Sequence, residues 1–357
     1  MVSQSLIDKV SFLPLNVPLK TAFGIAGGVQ ASAENVLVKV ELADGTVGLG
    51  EAAPLPAYNG ETQASTLHAL ERGAGKLVGL EASGLRPIAK RLTQLFPHAA
   101  AAQCALETAV FDAFCRQKRM SMWSVFGGSE KNLESDITIV TGTVDDAYAF
   151  TSRYAEQGFQ TFKIKVGGGD RSQDLERVKA VRDAAPKGKV FLDANASLSA
   201  RDAIWLVKEL EKVNILPLFF EQPTHKGDWE ALFEVANVIA VAVDENVTTP
   251  ADALHAARLG PPHLINLKIM KSGIVNSLDI AAVARAAGMG LMVGGNVESI
   301  LAMSVSAALA GGLGGVAQVD LDTPLFFAEN PFEGGFTMSG PHITIGDSPG
   351  HGVSPRR

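Results

Sequence analysis

The first third of the chain changes from strand-like to helix-like hydrophobic spacing. Apolar and polar residues alternate over residues 9–15, 35–42 and 47–51, and the last two segments are joined by Asp44-Gly45, a pair typical of a tight hairpin. From residue 61 to about 119, apolar residues recur with helical periodicity, interrupted at Gly84 and Pro97. Strands followed by helices predict an α+β domain over residues 1–125.

Two segments rich in small residues flank this predicted sheet. One is residues 20–28, which include Phe23 and Gly24, and the other is residues 52–60. We interpret both as mobile loops, placed so that together they can close as a lid over a pocket.

Short β-rich segments alternate with helical stretches over the rest of the chain. Strands are predicted at residues 137–140, 161–166, 190–194, 218–221, 239–244, 264–268, 290–293 and 316–320. Their ends recur at the length of one strand–helix unit, which predicts an α/β fold, a TIM-type barrel over residues 126–334. Pro324 follows the eighth strand closely, so the last helix is expected to be missing and the barrel to be (β/α)7β. Residues 335–357 are expected to pack back on the α+β domain, which caps the barrel.

The composition narrows the class of partner. The 357 residues are 46% hydrophobic and 19% charged, enough for a large buried core, and the net charge of −7 argues against a nucleic-acid-binding protein. The chain lacks the basic start and apolar run of a signal peptide, and no apolar stretch is long enough to cross a bilayer. We therefore expect a cytoplasmic protein without membrane contacts. Cys104 and Cys115 lie too far apart on one predicted helix to pair, and are expected to fill the core.

The second predicted barrel strand carries two lysines on one face. Lys163 and Lys165 stand at positions i and i+2, and side chains two apart on a strand point the same way. Two like charges there repel, which indicates a functional site or an anionic partner. In barrels of this kind the active site lies at the C-terminal ends of the strands.

Carboxylates follow at the ends of the next three strands. Asp193, Glu221 and Asp244 come from neighbouring positions around the rim, so they need a cation to coexist, and ligands that are all oxygens favour Mg²⁺. Alternation with Ala242 points Asp244 rather than Glu245 inward, which leaves Glu245 behind the site or as a helix cap.

A further lysine stands opposite this cluster. Lys268 ends the sixth strand, four strands away from Lys165 in a ring of eight, so a substrate between the two amines has a base on either face. The positive charges of Mg²⁺ and Lys163 would favour the neutral, proton-accepting form of a neighbouring lysine. Lys271, three residues further on, is expected to be a surface lysine.

Together these residues resemble the enolase superfamily, in its muconate-lactonising subgroup. The resemblance covers nearly the whole chain and rests on Lys163-x-Lys165, Asp193-x-Asn195, Glu221-Gln-Pro223, Asp244-Glu245 and Lys268. It implies that a substrate carboxylate binds Mg²⁺ on Asp193, Glu221 and Asp244 while a proton leaves the adjacent carbon. It also implies that Lys165 and Lys268 are the acid/base pair and that Lys163 orients the substrate.

Within that family the chain looks most like the dipeptide epimerases. The mandelate-racemase branch has a histidine after strand seven, where residues 293–298 contain none. Asp320-x-Asp322 after strand eight resembles the aspartate pair that holds the terminal ammonium of a dipeptide, and two carboxylates on one face suit a small cation. The alternatives are o-succinylbenzoate synthase or N-acylamino-acid racemase activity, and a metal-binding barrel without turnover.

The loop after the first strand bears on which dipeptide is used. Relatives that epimerise Ala-Glu carry an arginine where this chain has Gly24, and an unpaired side-chain carboxylate would be costly to bury. We therefore expect a second residue that is apolar, favoured by Phe23, or cationic, for which Glu51 or Glu329 could be the partner. Asn195 and Val297 are further expected substrate contacts, and a homo-oligomer is expected.

Overall fold

An antiparallel sheet and a long helix form the N-terminal domain. The computed structural model describes residues 3–260 and 263–356. The sheet is β1 (Ile7–Ile25), β2 (Gly28–Leu42) and β3 (Val47–Ala52), in that order, followed by the helices α1 (Pro56–Asn59), α2 (Gln63–Gly73), α3 (Leu85–Leu95), α4 (Ala100–Gln117) and α5 (Met122–Val125). Helix α4 crosses the sheet at close range, since a Cβ on Gly50 would lie 2.0 Å from the carbonyl oxygen of Ala105.

The glycine-rich segment at residues 20–28 is not the loop that the sequence predicted. Strand β1 continues to Ile25, and Phe23, Gly24 and Ile25 pair with Gln30, Val29 and Gly28 of β2 after a register shift. The alternating pattern is weak there because most residues are small, so the sequence does not reveal the strand. The second expected loop contains the single turn of α1.

Eight parallel strands form the barrel. Strand β4 (Asn132–Glu134) precedes them in the chain and belongs to another sheet. The barrel strands are hydrogen-bonded in chain order: β5 (Ile137–Ile139), β6 (Thr161–Lys165), β7 (Lys189–Asp193), β8 (Phe220–Glu221), β9 (Val241–Val243), β10 (Leu264–Leu267), β11 (Gly290–Val293) and β12 (Gln318–Val319). The amide of Asp136, just before β5, donates to the carbonyl of Val319 at 3.1 Å and links the two outer strands. The predicted α/β barrel is confirmed, with six of the eight strands shorter than predicted.

Seven helices connect these strands. They are α6 (Val144–Glu156), α7 (Arg171–Ala184), α8 (Ala200–Lys212), α9 (Trp229–Ala236), α10 (Pro250–Leu259), α11 (Ile269–Ala286) and α12 (Ile300–Leu313). Threonine and aspartate three residues apart form capping boxes at the starts of α6 and α10. Gly273, at φ +76°, divides α11 into a first turn and a main helix. A 3₁₀ turn (Thr323–Phe326), not an α-helix, follows β12.

The end of the chain contacts both domains. Strands β14 (Phe336–Ser339) and β15 (His342–Ile345) form a sheet with β4, while β13 (Phe332–Gly334) pairs with β16 (Val353–Pro355). His351 is buried against α4, where its main-chain amide and its ring both contact the carboxylate of Asp112.

The capping domain and the barrel share a core. Ile269 and Met270 of α11 and Val305 of α12 belong to the same buried cluster as the inner residues of α4 and the sheet. Burying this apolar surface fixes the sheet over the rim where β10 and β11 end. Within residues 3–260 and 263–356 no helix combines the length and apolar character that crossing a membrane requires.

Candidate active site

The predicted catalytic residues meet at one rim of the barrel. Lys163 and Lys165 end β6, Asp193 ends β7, Glu221 ends β8, Asp244 follows β9 and Lys268 follows β10. All six are buried, as expected where the carboxyl ends of parallel strands converge. Lys165 and Lys268 line the same cavity of about 20 Å³, room for about one water molecule.

Lys165 is held from two sides. Its Nζ donates to Asp193 Oδ2 at 2.6 Å and to Asn195 Oδ1 at 3.0 Å. Arg177, also buried, donates to the main-chain carbonyl of Lys165 at 2.7 Å. The amine is therefore fixed beside the cavity, and Asn195, expected to contact substrate, contacts this lysine.

Lys163 lies among three carboxylates. Its Nζ is 3.0 Å from Asp193, 2.7 Å from Glu221 and 2.8 Å from Asp320. Burial alone would raise the pKa of Asp193, but the ammonium groups of Lys163 and Lys165 outweigh it, so that this pKa lies below its usual range. Asp193 is consequently an anion throughout the neutral range.

Lys268 faces Asp244 and an aromatic ring. Its Nζ lies 2.5 Å from Asp244 Oδ2 and 5.0 Å from the centroid of the Tyr58 ring. Burial would lower the pKa of Lys268, but Asp244 and Glu221 outweigh it and the pKa is raised. The Tyr58 hydroxyl donates to Asp244 Oδ1 at 3.3 Å. The sequence analysis did not select Tyr58 as a site residue. The one feature that could have indicated it is its position within residues 52–60, which were predicted to close over the pocket.

The three predicted metal ligands fit Mg²⁺. Asp193, Glu221 and Asp244 offer only oxygen atoms and are completely buried. Glu221 Oε2 and Asp244 Oδ2 accept no hydrogen bond from the described part of the chain, although Lys163 and Lys268 lie beside them. Burial and then Asp193 raise the pKa of Glu221. Each of these oxygens faces an ammonium group, and the donor set of three carboxylates is of the kind that would hold a divalent cation.

Lys271 is not the surface lysine that the sequence predicted. Its side chain is 3% exposed, and its Nζ donates to Asp244 Oδ1 at 2.6 Å and to the carbonyls of Asp244 and Asn266 at 2.7 and 2.8 Å. The cause is the first turn of α11, which begins directly after Lys268. Residues three apart on a turn share a face, so both lysines reach Asp244.

Glu245 lies behind the cluster. Its Oε1 is 3.5 Å from the amide nitrogen of Asn195, and burial followed by the charge of Asp244 raises the pKa of Glu245 to about 8. Glu245 therefore contacts Asn195, which accepts a hydrogen bond from Lys165, and does not line the cavity.

The aspartate pair after β12 is joined by a third carboxylate. Asp136, Asp320 and Asp322 are buried, with oxygens that all lie within 4.8 Å of one another, and they are the one such group of three within the described residues. Asp320 pairs with Lys163, and Asp322 accepts a hydrogen bond from the Thr138 amide at 2.6 Å. Asp136 was missed because it stands just before a strand of only three residues, which is too short to reveal alternation.

Apolar side chains from the capping domain form one wall of the cavity. They are Phe23, Ile25, Leu55 and Tyr58. The Phe23 ring stands edge-on to Phe326 at 5.1 Å between centroids, which fixes its position.

Gly24 does not leave the open space that the sequence argument assumed. A Cβ there would lie 2.2 Å from Thr141 Oγ1, and the Gly24 carbonyl accepts a hydrogen bond from the Thr141 amide at 3.2 Å. Val297 is buried, with its carbonyl held by Asn35 at 3.0 Å, and its neighbours Gly295 and Asn296 line the cavity.

Neither acidic candidate for a cationic side chain faces the cavity. Glu51 is buried between domains, where it accepts hydrogen bonds from Asn35, from the amide and hydroxyl of Ser299 and from the amide of Ala302. The expectation failed because the start of α12 meets the end of β3. Glu329 lies on a separate surface cavity that Lys20 also lines.

The chain is similar to known proteins over nearly its whole length. Residues 8–127 match the mandelate racemase / muconate lactonizing enzyme N-terminal domain, and residues 146–357 match the enolase C-terminal domain-like family. It is 44% identical over 350 residues to an aromatic dipeptide epimerase of Herpetosiphon aurantiacus, covering 98% of each chain.

Solved structures share the architecture. A mandelate racemase/muconate lactonizing protein from Herpetosiphon aurantiacus is 43% identical, with a TM-score of 0.96 over 99% of this chain and 100% of that one. A dipeptide epimerase from Enterococcus faecalis, complexed with Mg and the dipeptide L-Leu-L-Tyr, is 29% identical, with a TM-score of 0.93 over 98% of this chain and 99% of that one.

Proposed function

The chain belongs to the mandelate racemase / muconate lactonizing enzyme family of the enolase superfamily, and we propose that it is a magnesium-dependent dipeptide epimerase preferring an apolar second residue. One observation carries the proposal: Lys165 and Lys268, from strands four apart, line one cavity together with Asp320 and Asp322. Two bases and an anionic clamp for an ammonium group are what inversion at the α-carbon of a dipeptide requires.

The chemistry follows from the placement of these side chains. Bound Mg²⁺, held by Asp193, Glu221 and Asp244, would supply positive charge beside the substrate carboxylate. One lysine removes the α-proton of the second residue, and the other returns a proton to the opposite face. Inversion therefore needs both amines, each of which the structure holds against a carboxylate.

The preference for an apolar second residue rests on the cavity wall. Phe23, Ile25 and Leu55 offer no charge, and the two acidic side chains that could have paired with a cationic residue lie elsewhere. Burying an unpaired carboxylate against such a wall would cost about 3 kcal/mol. That cost corresponds to a preference of roughly a hundredfold for an apolar over an acidic second residue. The homo-oligomer and the cytoplasmic location stay predictions.

A panel of dipeptides tests the proposal. The purified protein with Mg²⁺ is assayed for epimerisation of L-Ala-L-Phe, L-Ala-L-Leu, L-Ala-L-Lys and L-Ala-L-Glu by chiral chromatography. We expect kcat/KM to be highest for the first two and roughly a hundredfold lower for L-Ala-L-Glu.

The same panel separates the alternatives. N-acetyl-L-phenylalanine lacks the ammonium group, so turnover of it without turnover of any dipeptide would favour N-acylamino-acid racemase activity. A preference for L-Ala-L-Glu would contradict the apolar assignment, and activity in excess chelator would contradict the metal.

A further inference from the structure

Three carboxyl groups crowd the subsite that the proposed function assigns to the dipeptide ammonium. One oxygen each from Asp136, Asp320 and Asp322 lies within 4.8 Å of the other two, and the three residues are at most 5% exposed. Asp320 and Asp322 line the cavity. Asp136, which directly precedes β5, does not line it.

Too few donors face this cluster to keep all three groups ionised. Lys163 contacts Asp320 and is shared with two further carboxylates. The side-chain amide of Gln318 donates to Asp136 Oδ2 at 2.6 Å, and the Thr138 amide donates to Asp322 Oδ2. The other oxygens of Asp136 and Asp322 are buried without a hydrogen-bond partner in residues 3–260 and 263–356.

The surrounding charges add to this imbalance. Glu298, from the loop after β11, is a further acidic group in the field of Asp320, and Tyr154 of α6 lies in the field of Asp322. Lys163 is the cation that most affects Asp136 and Asp322. Buried oxygens with neither a donor nor a counter-charge are costly, and a proton between two carboxyl groups removes that cost.

We propose that Asp322 keeps one proton in this subsite, shared with Asp136, and that the ammonium group of an arriving dipeptide replaces it. This inference rests on the proposed function. The exchange breaks one carboxyl O–H bond and releases that proton to solvent. The freed oxygen then accepts an N–H hydrogen bond from the ammonium, and the net charge of the subsite is unchanged.

The pKa values of the two carboxyl groups are consistent with this geometry. Burial, then Asp320 and Asp322, raise the pKa of Asp136 well above its usual range. Burial and then Asp320 raise the pKa of Asp322 to about 7. Because the protonated form must give up its proton before a cation binds, affinity should increase as the pH rises towards 8, where the dipeptide amine itself begins to lose its charge. At pH 6.0 the apparent affinity should be about tenfold below its limit.

Calorimetry measures the released proton directly. L-alanyl-α-methyl-L-phenylalanine, which has no α-proton to exchange, is titrated into Mg²⁺-saturated protein at pH 6.5 in PIPES and in bis-Tris, buffers with different ionisation enthalpies. We expect release of about 0.8 proton per site, the protonated fraction of a group with a pKa of about 7.

Two variants locate the proton. Asp322→Asn keeps the shape and can still accept from the Thr138 amide but removes one acid, so proton release should fall towards zero and the tenfold affinity loss at pH 6.0 should largely disappear. Asp112→Asn, a matched change at a fully buried aspartate in the capping domain, should leave proton release unaltered.

The outcomes are distinct. Binding heats that agree in the two buffers, for the wild-type protein alone, would overturn the exchange even if the Asp322 variant does not fold. Undiminished release from Asp322→Asn would overturn the assignment to Asp322. Absence of any dipeptide binding would instead contradict the proposed function, and the inference with it.

Discussion

Replacing Glu51 by glutamine should destabilise the junction between the two domains without changing substrate preference. Glu51 accepts four hydrogen bonds, from Asn35 Nδ2 at 2.7 Å, from the Ser299 amide and hydroxyl at 3.0 and 2.6 Å, and from the Ala302 amide at 3.2 Å. Two of these donors are free amides of the first turn of α12, which has a partial positive charge.

The magnitude follows from the partners. Every group that faces the carboxylate is a donor, so the glutamine amide must turn its NH₂ towards another donor and leave at least one buried group unpaired, a cost of about 1–3 kcal/mol. Burial raises the pKa of Glu51 despite its hydrogen bonds, so these bonds do not fully offset the cost of burying the carboxylate. We therefore expect a loss of about 2 kcal/mol in the free energy of unfolding.

Urea unfolding and a specificity ratio together check this reasoning. Glu34→Gln, an exposed change on β2, is the matched control and should alter stability by less than about 0.5 kcal/mol. The ratio of kcat/KM for L-Ala-L-Lys to that for L-Ala-L-Leu should be the same in Glu51→Gln and wild type. Unchanged stability, or a selective loss of L-Ala-L-Lys turnover, would refute the structural role.

Three further predictions follow from particular contacts. Asp193→Asn should weaken Mn²⁺ binding, measured by electron paramagnetic resonance, at least tenfold and abolish activity; wild-type affinity in the variant would remove Asp193 from the metal site. Burial raises the pKa of Asp112, but His351 and Arg116 outweigh it and the pKa is lowered, so its stabilisation is present above the ordinary pKa near 3.8 and lost below. Urea unfolding of Asp112→Asn should therefore show a larger deficit at pH 7 than at pH 3, and an equal deficit at both would contradict the ion pairs. Gly24→Arg alone should lower the melting temperature, because its Cβ meets Thr141 Oγ1 at 2.2 Å, whereas adding Thr141→Ala should restore it; equal stabilities would show that the contact is not limiting.

Most of the barrel and its rim were predictable because the signals are local. Alternation along a strand places Lys163 with Lys165, and strand–helix spacing brings Asp193 and Lys268 to one edge. Each conclusion needs only a residue's position in its own element. The ring topology then supplies the distances between elements.

The residues that the sequence misplaced depend on contacts between elements. Lys271 is buried because a single turn of α11 bends back to Asp244, and that turn ends at Gly273, whose positive φ is not readable from sequence. Glu51 faces a helix start 248 residues away in sequence. Asp136 lies before a strand of three residues, too short to reveal alternation.

The most direct test of the two-base mechanism is α-deuterium incorporation in D₂O. Wild-type protein with Mg²⁺, Lys165→Ala and Lys268→Ala are each incubated with L-Ala-L-Phe and, separately, with L-Ala-D-Phe, and mass gain and configuration are measured. We predict that wild type deuterates and inverts both epimers, and that neither variant inverts either one. Each variant should exchange the α-proton of one epimer at most, and the two variants should favour opposite epimers. Inversion by either variant near the wild-type rate would contradict the assignment of Lys165 and Lys268 as the opposed bases.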